Sequence, residues 1–421
     1  MNLEIFYNRL PEKLKHILSQ LFKLGKEMNI KLYLVGGPVR DLILNREVLD
    51  LDLVVNRDLE VLLERLKEEF SFKIEPTRFL TAKVYFDDFI LDIAQTRKEY
   101  YPLPGALPEV SPGTLKSDAY CRDFTINALY LEITTNGFSK LIDYVGGVKD
   151  LQKKIIRVLK RNSFYEDPTR IIRAVRYEQR FGFKMETETL SLLKKAVKEN
   201  VFSTVTPQRL GAEFIRTLRE KNVFNPLRRL DELCGFDFLN VSIKLTSEKI
   251  SSFKRWDSYK YKRDVLCPEI IPLMILLSDL ELLELDRISQ ILELTRAQRS
   301  LLKKYVRLDK EKILSLLSKK LSVSKIYDRL NNLDFEIVVC LHLLAKGQAR
   351  RNLDLYLKKL VGLRLEVTGE DVKNLGIAQG PQIGHLLERL KKARLEGKVK
   401  TREDEIRYIK KLGDVDRVSG N

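Results

Sequence analysis

Two adjacent glycines close a short apolar run in "KLYLVGGPVRDLILN", and a few residues later the run "LDLDLVV" carries an aspartate at alternate positions. The first pattern reads as strand, tight turn and helix start. Gly36 and Gly37 allow a sharp reversal and a close approach of the backbone. Bare N–H groups at the start of a helix suit a phosphate, and Arg40 on the first helical turn adds positive charge. In the second pattern the period of two puts Asp50 and Asp52 on one face, about 6.6 Å apart along the strand. Like charges that close repel unless a cation lies between them. Alone, the pair fits an edge strand with carboxylates in water equally well. Beside the glycine turn, it reads as a phosphate cradle next to a metal-binding pair. Neither the dinucleotide fingerprint G-x-G-x-x-G nor the G-x-x-x-x-G-K-[ST] loop is present.

The chemistry of such a site is narrowed by what the chain contains. There are only three histidines, His16, His342 and His385, which argues against a histidine-ligated catalytic metal. A metal held by carboxylates points to magnesium. Cys121, Cys234, Cys267 and Cys340 lie far apart without a C-x-x-C pair, so they read as reduced thiols of a cytoplasmic protein. The 76 Lys and Arg against 59 Asp and Glu give a formal charge of +17, which favours a polyanionic partner. The start, "MNLEIFYNRLPEKLK", has no secretory pattern. The most apolar window, "IIPLMILLSDLELLELDRI", is interrupted by Asp279, Glu281, Glu284 and Asp286 and reads as a buried helix, so no membrane partner is expected.

The organisation is α+β. Short strands ("KLYLV", "LDLVV", "AKVYF", "FILDIA", "ALYLEIT") mix with helices up to about Gly147, and amphipathic helical patterns take over beyond it. "FILDIAQTR" places Asp92 on another strand, as a third carboxylate or a polar edge residue. "CRDFTINALYLEI" sets Arg122 and Asp123 before an apolar run, as a structural salt bridge or a ligand contact. In "YEDPTRIIRAVRYEQRFGF", Asp167, Arg170, Arg173 and Arg176 recur every three residues and form one polar ridge of a helix that starts near Pro168. A solvated face is the usual meaning of such a ridge, but its arginines are also spaced for one anion or one base edge.

"VGGPVRDLIL…LDLDLVV", "CRDFTINAL" and "EDPTRIIRAVRYEQRFGF", in this order, resemble the class II tRNA nucleotidyltransferases, the CCA-adding enzymes, which share a polymerase-β-like head with bacterial poly(A) polymerases. The segment "VTGEDVKNLGIAQGPQIGHLLERLKKARLEGKVKTREDEI" resembles their tRNA-binding tail. The resemblance implies a nucleotidyltransferase head with a mixed sheet at residues 1–148. It implies an all-α neck at 149–222, a body at 223–350 and a tail at 351–421. It assigns Asp50 and Asp52 to catalytic magnesium and Asp92 to a third acidic position. Gly36, Gly37 and Arg40 would meet the triphosphate, and Arg122 and Asp123 the ribose. Asp167 and Arg170 would read the base of CTP or ATP, with Arg173 and Arg176 continuing the ridge. Arg209 and Glu213 match a later helix that braces the pocket. Cys121 stands where an arginine is usual.

The base-reading role has its own logic. Cytosine and adenine each pair an exocyclic amino donor with a ring acceptor, and guanine and uracil reverse that order. An acidic acceptor beside an arginine donor therefore selects CTP and ATP. The resemblance implies tRNA, through its 3′ end and its acceptor and T arms, as partner. Addition of the full CCA is the expected activity, with A-only or CC-only addition, polyadenylation and non-catalytic RNA binding as alternatives. The segment from Arg97 to Arg122, rich in Pro and Gly, is expected to be a hinged loop without secondary structure.

Overall fold

A computed structural model describes residues 3–48, 51–70, 73–76, 79–86, 89–135, 137–377 and 379–418, with the backbone alone at 89 and 413–418. Asp50 lies outside the described residues. The chain divides into two compact units, one of residues 1–242 with 290–293 and one of 243–289 with 294–421.

The first unit opens with helices α1 (Leu3–Asn8) and α2 (Glu12–Glu27), then strand β1 (Leu32–Val35), helix α3 (Gly37–Ile43), β2 (Leu51–Val55) and α4 (Leu59–Phe70). Strands β3 (Lys73–Pro76), β4 (Thr81–Phe86) and β5 (Phe89–Gln95) follow. The sheet is completed by β8 (Leu129–Thr134) and β9 (Gly137–Asp143), after a separate hairpin of β6 (Arg97–Tyr100) and β7 (Glu109–Pro112) and helix α5 (Leu115–Cys121). The seven strands lie in the order β3-β4-β5-β2-β1-β8-β9. The pair β2–β5 is parallel, and the other neighbours are antiparallel. The sheet is therefore mixed, as expected. Central strand β1 is buried along its whole length, which explains its unbroken apolar run.

Register places the polar residue of β2. Leu51 and Leu53 are buried on one face, and Asp52 shares the other with Val54. Tyr33 pairs with Val54 and Val35 with Tyr130, so that face carries a core of Tyr33, Val35, Val54, Ala119 and Tyr130, capped by α5. Asp52 lies at the end of this sheet, where β1 leaves through Gly36.

The remaining helices of this unit are α6 (Gly147–Lys153), α7 (Ser163–Glu166), α8 (Thr169–Phe181), α9 (Thr187–Lys198), α10 (Pro207–Leu218) and α11 (Phe224–Leu233). Helix α8 packs on α10 and α11. Its apolar side, Ile171, Ile172, Ala174 and Val175, is fully buried. Gly182 ends it in the left-handed conformation, the usual helix stop.

Two expectations need correction. The segment from Arg97 to Arg122 is a paired hairpin followed by a helix, with Arg97 opposite Pro112 and Tyr100 opposite Glu109. Pro102, Pro104 and Pro108 fall in the connecting tip, and Pro112 is the last strand residue, so the ladder needs no N–H from any of the four. Thr114 and Ser117 then cap α5 reciprocally. The apolar window at 270–288 is two helices, Ile270–Leu276 and Leu282–Ile291, rather than one. Asp279 sits in the break and pairs with the buried Lys249.

The second unit is helical. One core surrounds Phe253, Trp256, Met274 and Cys340, all fully buried. A separate cluster of Val367, Val372, Ile383, Leu386, Leu390 and Ile409 joins the helices Gly369–Asn374, Pro381–Leu395 and Arg402–Val418. No helix among the described residues is long and apolar enough to cross a membrane, and all four cysteines are free.

Glu405 ties the C-terminal cluster together. It is fully buried, accepts the Glu366 and Val367 N–H groups at 2.8 Å each, and pairs with Arg394 at 2.8 Å. Glu405→Ala would leave these donors without their acceptor, a loss of about 3–5 kcal/mol. Hydrogen exchange should then accelerate across 366–412 and stay unchanged in β1; equal protection in the mutant would contradict this.

Candidate active site

Helix α3, the N-terminal end of β2, the turn Thr125–Asn127 before β8, the β6–β7 hairpin and helices α5, α8 and α10 surround a cavity of about 440 Å³ in the first unit. At one end Gly36 turns the chain with φ 71° and ψ −125°, a conformation that side chains disfavour. Its N–H donates to the Leu129 carbonyl at 3.2 Å. A Cβ at Gly36 or Gly37 would stand 3.9 Å from Asp52 Oδ2, so the absent side chains leave the carboxylate approachable. Asp52 is half-buried and lines the cavity. Hard carboxylate oxygens beside open backbone are a donor set that suits magnesium. The described residues hold no cluster of three or more His, Cys, Asp or Glu side chains fit for a metal.

Asp92 stands beside Asp52 in the parallel register. It is about half exposed, forms an ion pair with Lys83 at 2.9 Å and does not line the cavity. Asp92 therefore occupies the expected strand position while its carboxylate is engaged by a lysine.

Arg40 lines the cavity from a buried position. It donates to Asn127 Oδ1 at 2.7 Å and to Asp41, and lies over the Phe181 ring at 4.6 Å. Burial opposes its charge, but Asp41, Tyr177 and Asp123 outweigh that and hold it protonated. Arg122 donates through Nε and Nη2 to Asp118, itself buried and also bound by the Tyr130 hydroxyl at 2.7 Å. Its Nη1 would lie 3.8 Å from a Cβ at Gly36, on the cavity side.

Asp123 accepts the Phe124 N–H and Asn127 Nδ2 on one oxygen, and Arg173 Nε and Nη2 at 2.9 and 2.6 Å on the other. Burial pushes its carboxyl up, and Arg173, Asn127 and Arg170 reverse this and hold it below its ordinary value. Arg173 also donates to Glu213 at 3.0 Å and to the Tyr177 hydroxyl at 3.2 Å. It lines the cavity with its guanidinium already engaged. Arg176, the next member of the ridge, turns to Glu213 at 3.2 Å and Glu220 at 3.5 Å and does not line the cavity. The ridge therefore reaches the cavity through Asp167, Arg170 and Arg173 and ends there.

Asp167 precedes α8. Its Oδ1 accepts the Thr169 N–H and hydroxyl at 3.1 and 2.7 Å and Arg209 Nη2 at 3.0 Å, whereas Oδ2 receives none of the described bonds. Arg170 is buried and donates to Ser163 at 2.7 Å, to the Cys121 carbonyl at 3.3 Å and to the Tyr101 hydroxyl at 3.4 Å. The cavity thus presents an open acceptor beside a fixed donor, as a base edge with an amino group and a ring acceptor requires.

Arg209 and Glu213 brace this wall as expected. Arg209 has two ties, Nη2 to Asp167 and Nη1 to the Gly105 carbonyl at 2.6 Å in the hairpin tip. Residues not anticipated from the sequence are Asp118, Asn127, Tyr101 and Tyr177. Asp118 precedes Arg122 by four residues, a helical ion-pair spacing that was a usable signal; Tyr101 carried none. Cys121 holds its thiol toward the Ser117 carbonyl, and burial pushes its pKa up to about 11, so it is not a reactive thiolate.

Residues 32–157 match the poly A polymerase head domain. The chain is 35% identical, over 96% of its length, to the A-adding tRNA nucleotidyltransferase of Geobacter sulfurreducens, and covers 48% of that protein. It is 32% identical over 86% of its length to the A-adding tRNA nucleotidyltransferase of Aquifex aeolicus, and covers 44% of it. The chain therefore spans about half the length of these relatives. Among solved structures, the CCA-adding enzyme of Thermotoga maritima complexed with tRNA superposes with a TM-score of 0.74 at 28% identity, over 99% of this chain and 100% of that one. The head match, these relatives and the shared architecture agree with the residues gathered around the cavity: the chain belongs to the class II tRNA nucleotidyltransferase family.

Proposed function

We propose that this protein transfers AMP from ATP to the 3′ end of a tRNA that already ends in CC. The observation that carries the reading is a single cavity with Asp52 at one end and the open Asp167 carboxylate beside Arg170 at the other. Adenine would donate its amino N–H to Asp167 Oδ2 and accept from Arg170 at its ring nitrogen. Guanine and uracil would set a carbonyl against the carboxylate. Arg122 would contact the sugar and Gly36–Gly37 the triphosphate. Asp50 and Asp52 would hold magnesium, which supplies charge neutralisation at the phosphates. Hydrogen-bonding to Asn127 and Arg173 holds Asp123 ionised, so the wall facing the ribose stays a fixed acceptor.

The relatives named A-adding favour A addition over the full CCA sequence. Addition of all three nucleotides is the second reading, favoured by the solved CCA-adding structure that matches end to end. Separate tRNAs ending before CCA, after the first C and after the second C, each offered every nucleoside triphosphate, discriminate the two. Extension only of the CC-ended substrate, and only with A, is expected; C incorporation on the shorter tRNAs would establish the CCA reading. Absence of all incorporation would leave an RNA-binding protein.

Three substitutions test the assignments. Asp52→Ala should abolish transfer and leave tRNA affinity nearly intact, since it removes charge stabilisation worth several kcal/mol at the phosphates; retained turnover would exclude Asp52 from the metal site. Arg170→Ala should admit GTP and UTP, because a bidentate base contact provides about 1–3 kcal/mol of discrimination. Slower reaction with unchanged selectivity would remove Arg170 from base reading. Arg209→Lys cannot hold Asp167 and Gly105 together, and the displaced carboxylate should reduce kcat for A addition roughly a hundredfold with little change in tRNA affinity. Wild-type kcat in that variant would show that the carboxylate needs no brace.

A further inference from the structure

A second cavity, of about 430 Å³, lies wholly in the helical second unit, in the size range of small-molecule sites. Two residues that line it, Tyr259 and His342, each carry a buried polar atom without a hydrogen-bond partner among the described residues: the Tyr259 hydroxyl and His342 Nδ1. Buried polar atoms are rarely left so. His342 is 5% exposed, and its Nε2 lies 3.1 Å from Asp354 Oδ1. A carboxylate only accepts, so Nε2 carries the proton and Nδ1 is a bare acceptor. Burial lowers the pKa of His342, against the pull of Asp354, and favours this neutral form.

The walls and rim add two further requirements. The Tyr259 ring is held in the wall between Trp256, on which it stacks with centroids 5.8 Å apart, and the His342 ring, tilted to it by 57° at 5.9 Å. Lys260, Arg350 and Lys358 stand around the cavity, and Asp354 is the lone carboxylate in its lining. Lys358 is paired with Asp354 at 3.3 Å. Lys260 and Arg350 have no ion-pair partner among the described residues. A molecule that suits these walls has a flat ring and carries a negative group.

We infer that this cavity binds a single nucleotide, with the base against Tyr259 and the phosphate at Arg350 and Lys260. The site is separate in sequence and unit from the one that holds Asp52 and Asp167. The same chemistry is offered by a free nucleoside monophosphate and by an unpaired nucleotide within RNA.

Photolabelling of the whole 421-residue chain with azido-AMP, followed by peptide mapping, tests this. Label is expected on the peptide around Tyr259–Lys262. It should fall at least about tenfold in Arg350→Glu and in Lys260→Glu, since a like charge would face the phosphate, with thermal melting unchanged. Displacement of the label by tRNA would identify an RNA nucleotide as the occupant, and persistence would identify the free nucleotide. No label on this peptide at millimolar probe, or equal label in wild type and Arg350→Glu, would overturn the inference.

Discussion

The bridge from Asp123 through Arg173 to Glu213 is the interaction on which the cavity depends. Arg173 holds the two carboxylates from opposite ends of one guanidinium. Each carboxylate then passes the constraint on. Asp123 fixes Asn127, which accepts from Arg40, and Glu213 takes Arg176 and Arg216. Burial pushes the Glu213 carboxyl up, but the three arginines hold it below its ordinary value. Charges this buried are tolerable only when every partner is in place, so the network forms as a whole. It joins the loop that follows helix α5 to helices α8 and α10, and Asp167 and Arg170 are held at the start of α8.

This network also separates binding charge from structural charge. Arg40, Arg173 and Arg176 each meet a carboxylate, and so contribute less attraction for a polyanion than their number implies. The same holds at the C-terminal cluster, where Arg394 is shared between Glu366 and Glu405. Attraction for any polyanion is therefore left to the basic side chains without such partners.

How much of this was legible in the sequence differs by residue. Strands β1, β2 and β8 coincide with apolar runs because they are largely buried on both faces, and β4 and β5 keep an alternating signal because one face is buried. Strand β9, "GFSKLID", has exposed or half-buried residues from Ser139 on and gave no such signal. The hairpin was hidden because its prolines read as breakers, although they lie where no ladder bond is needed. At the site, the ridge of Asp167, Arg170 and Arg173 follows from helical spacing alone. Which of its members faces the cavity does not, since that is decided by Glu213 and Glu220, about forty residues away in the chain. Asp92 fits its strand position, yet Lys83 on the neighbouring strand claims its carboxylate, a pairing set by register.

The hairpin tip touches helices α7 and α10 through main-chain atoms at Gly105. Its N–H donates to the Tyr165 carbonyl at 2.9 Å and its carbonyl accepts from Arg209. With φ at 70° and the Thr204 carbonyl oxygen 2.4 Å from where a Cβ would be, this position tolerates no side chain. The flanking residues contribute no atoms to those two bonds, and Leu103 and Leu107 are largely exposed. Mutational freedom along the hairpin is therefore uneven: side chains can change on either side of one fixed pivot, and the hairpin can alter its exposed surface without losing its hold, through Arg209, on the Asp167 carboxylate.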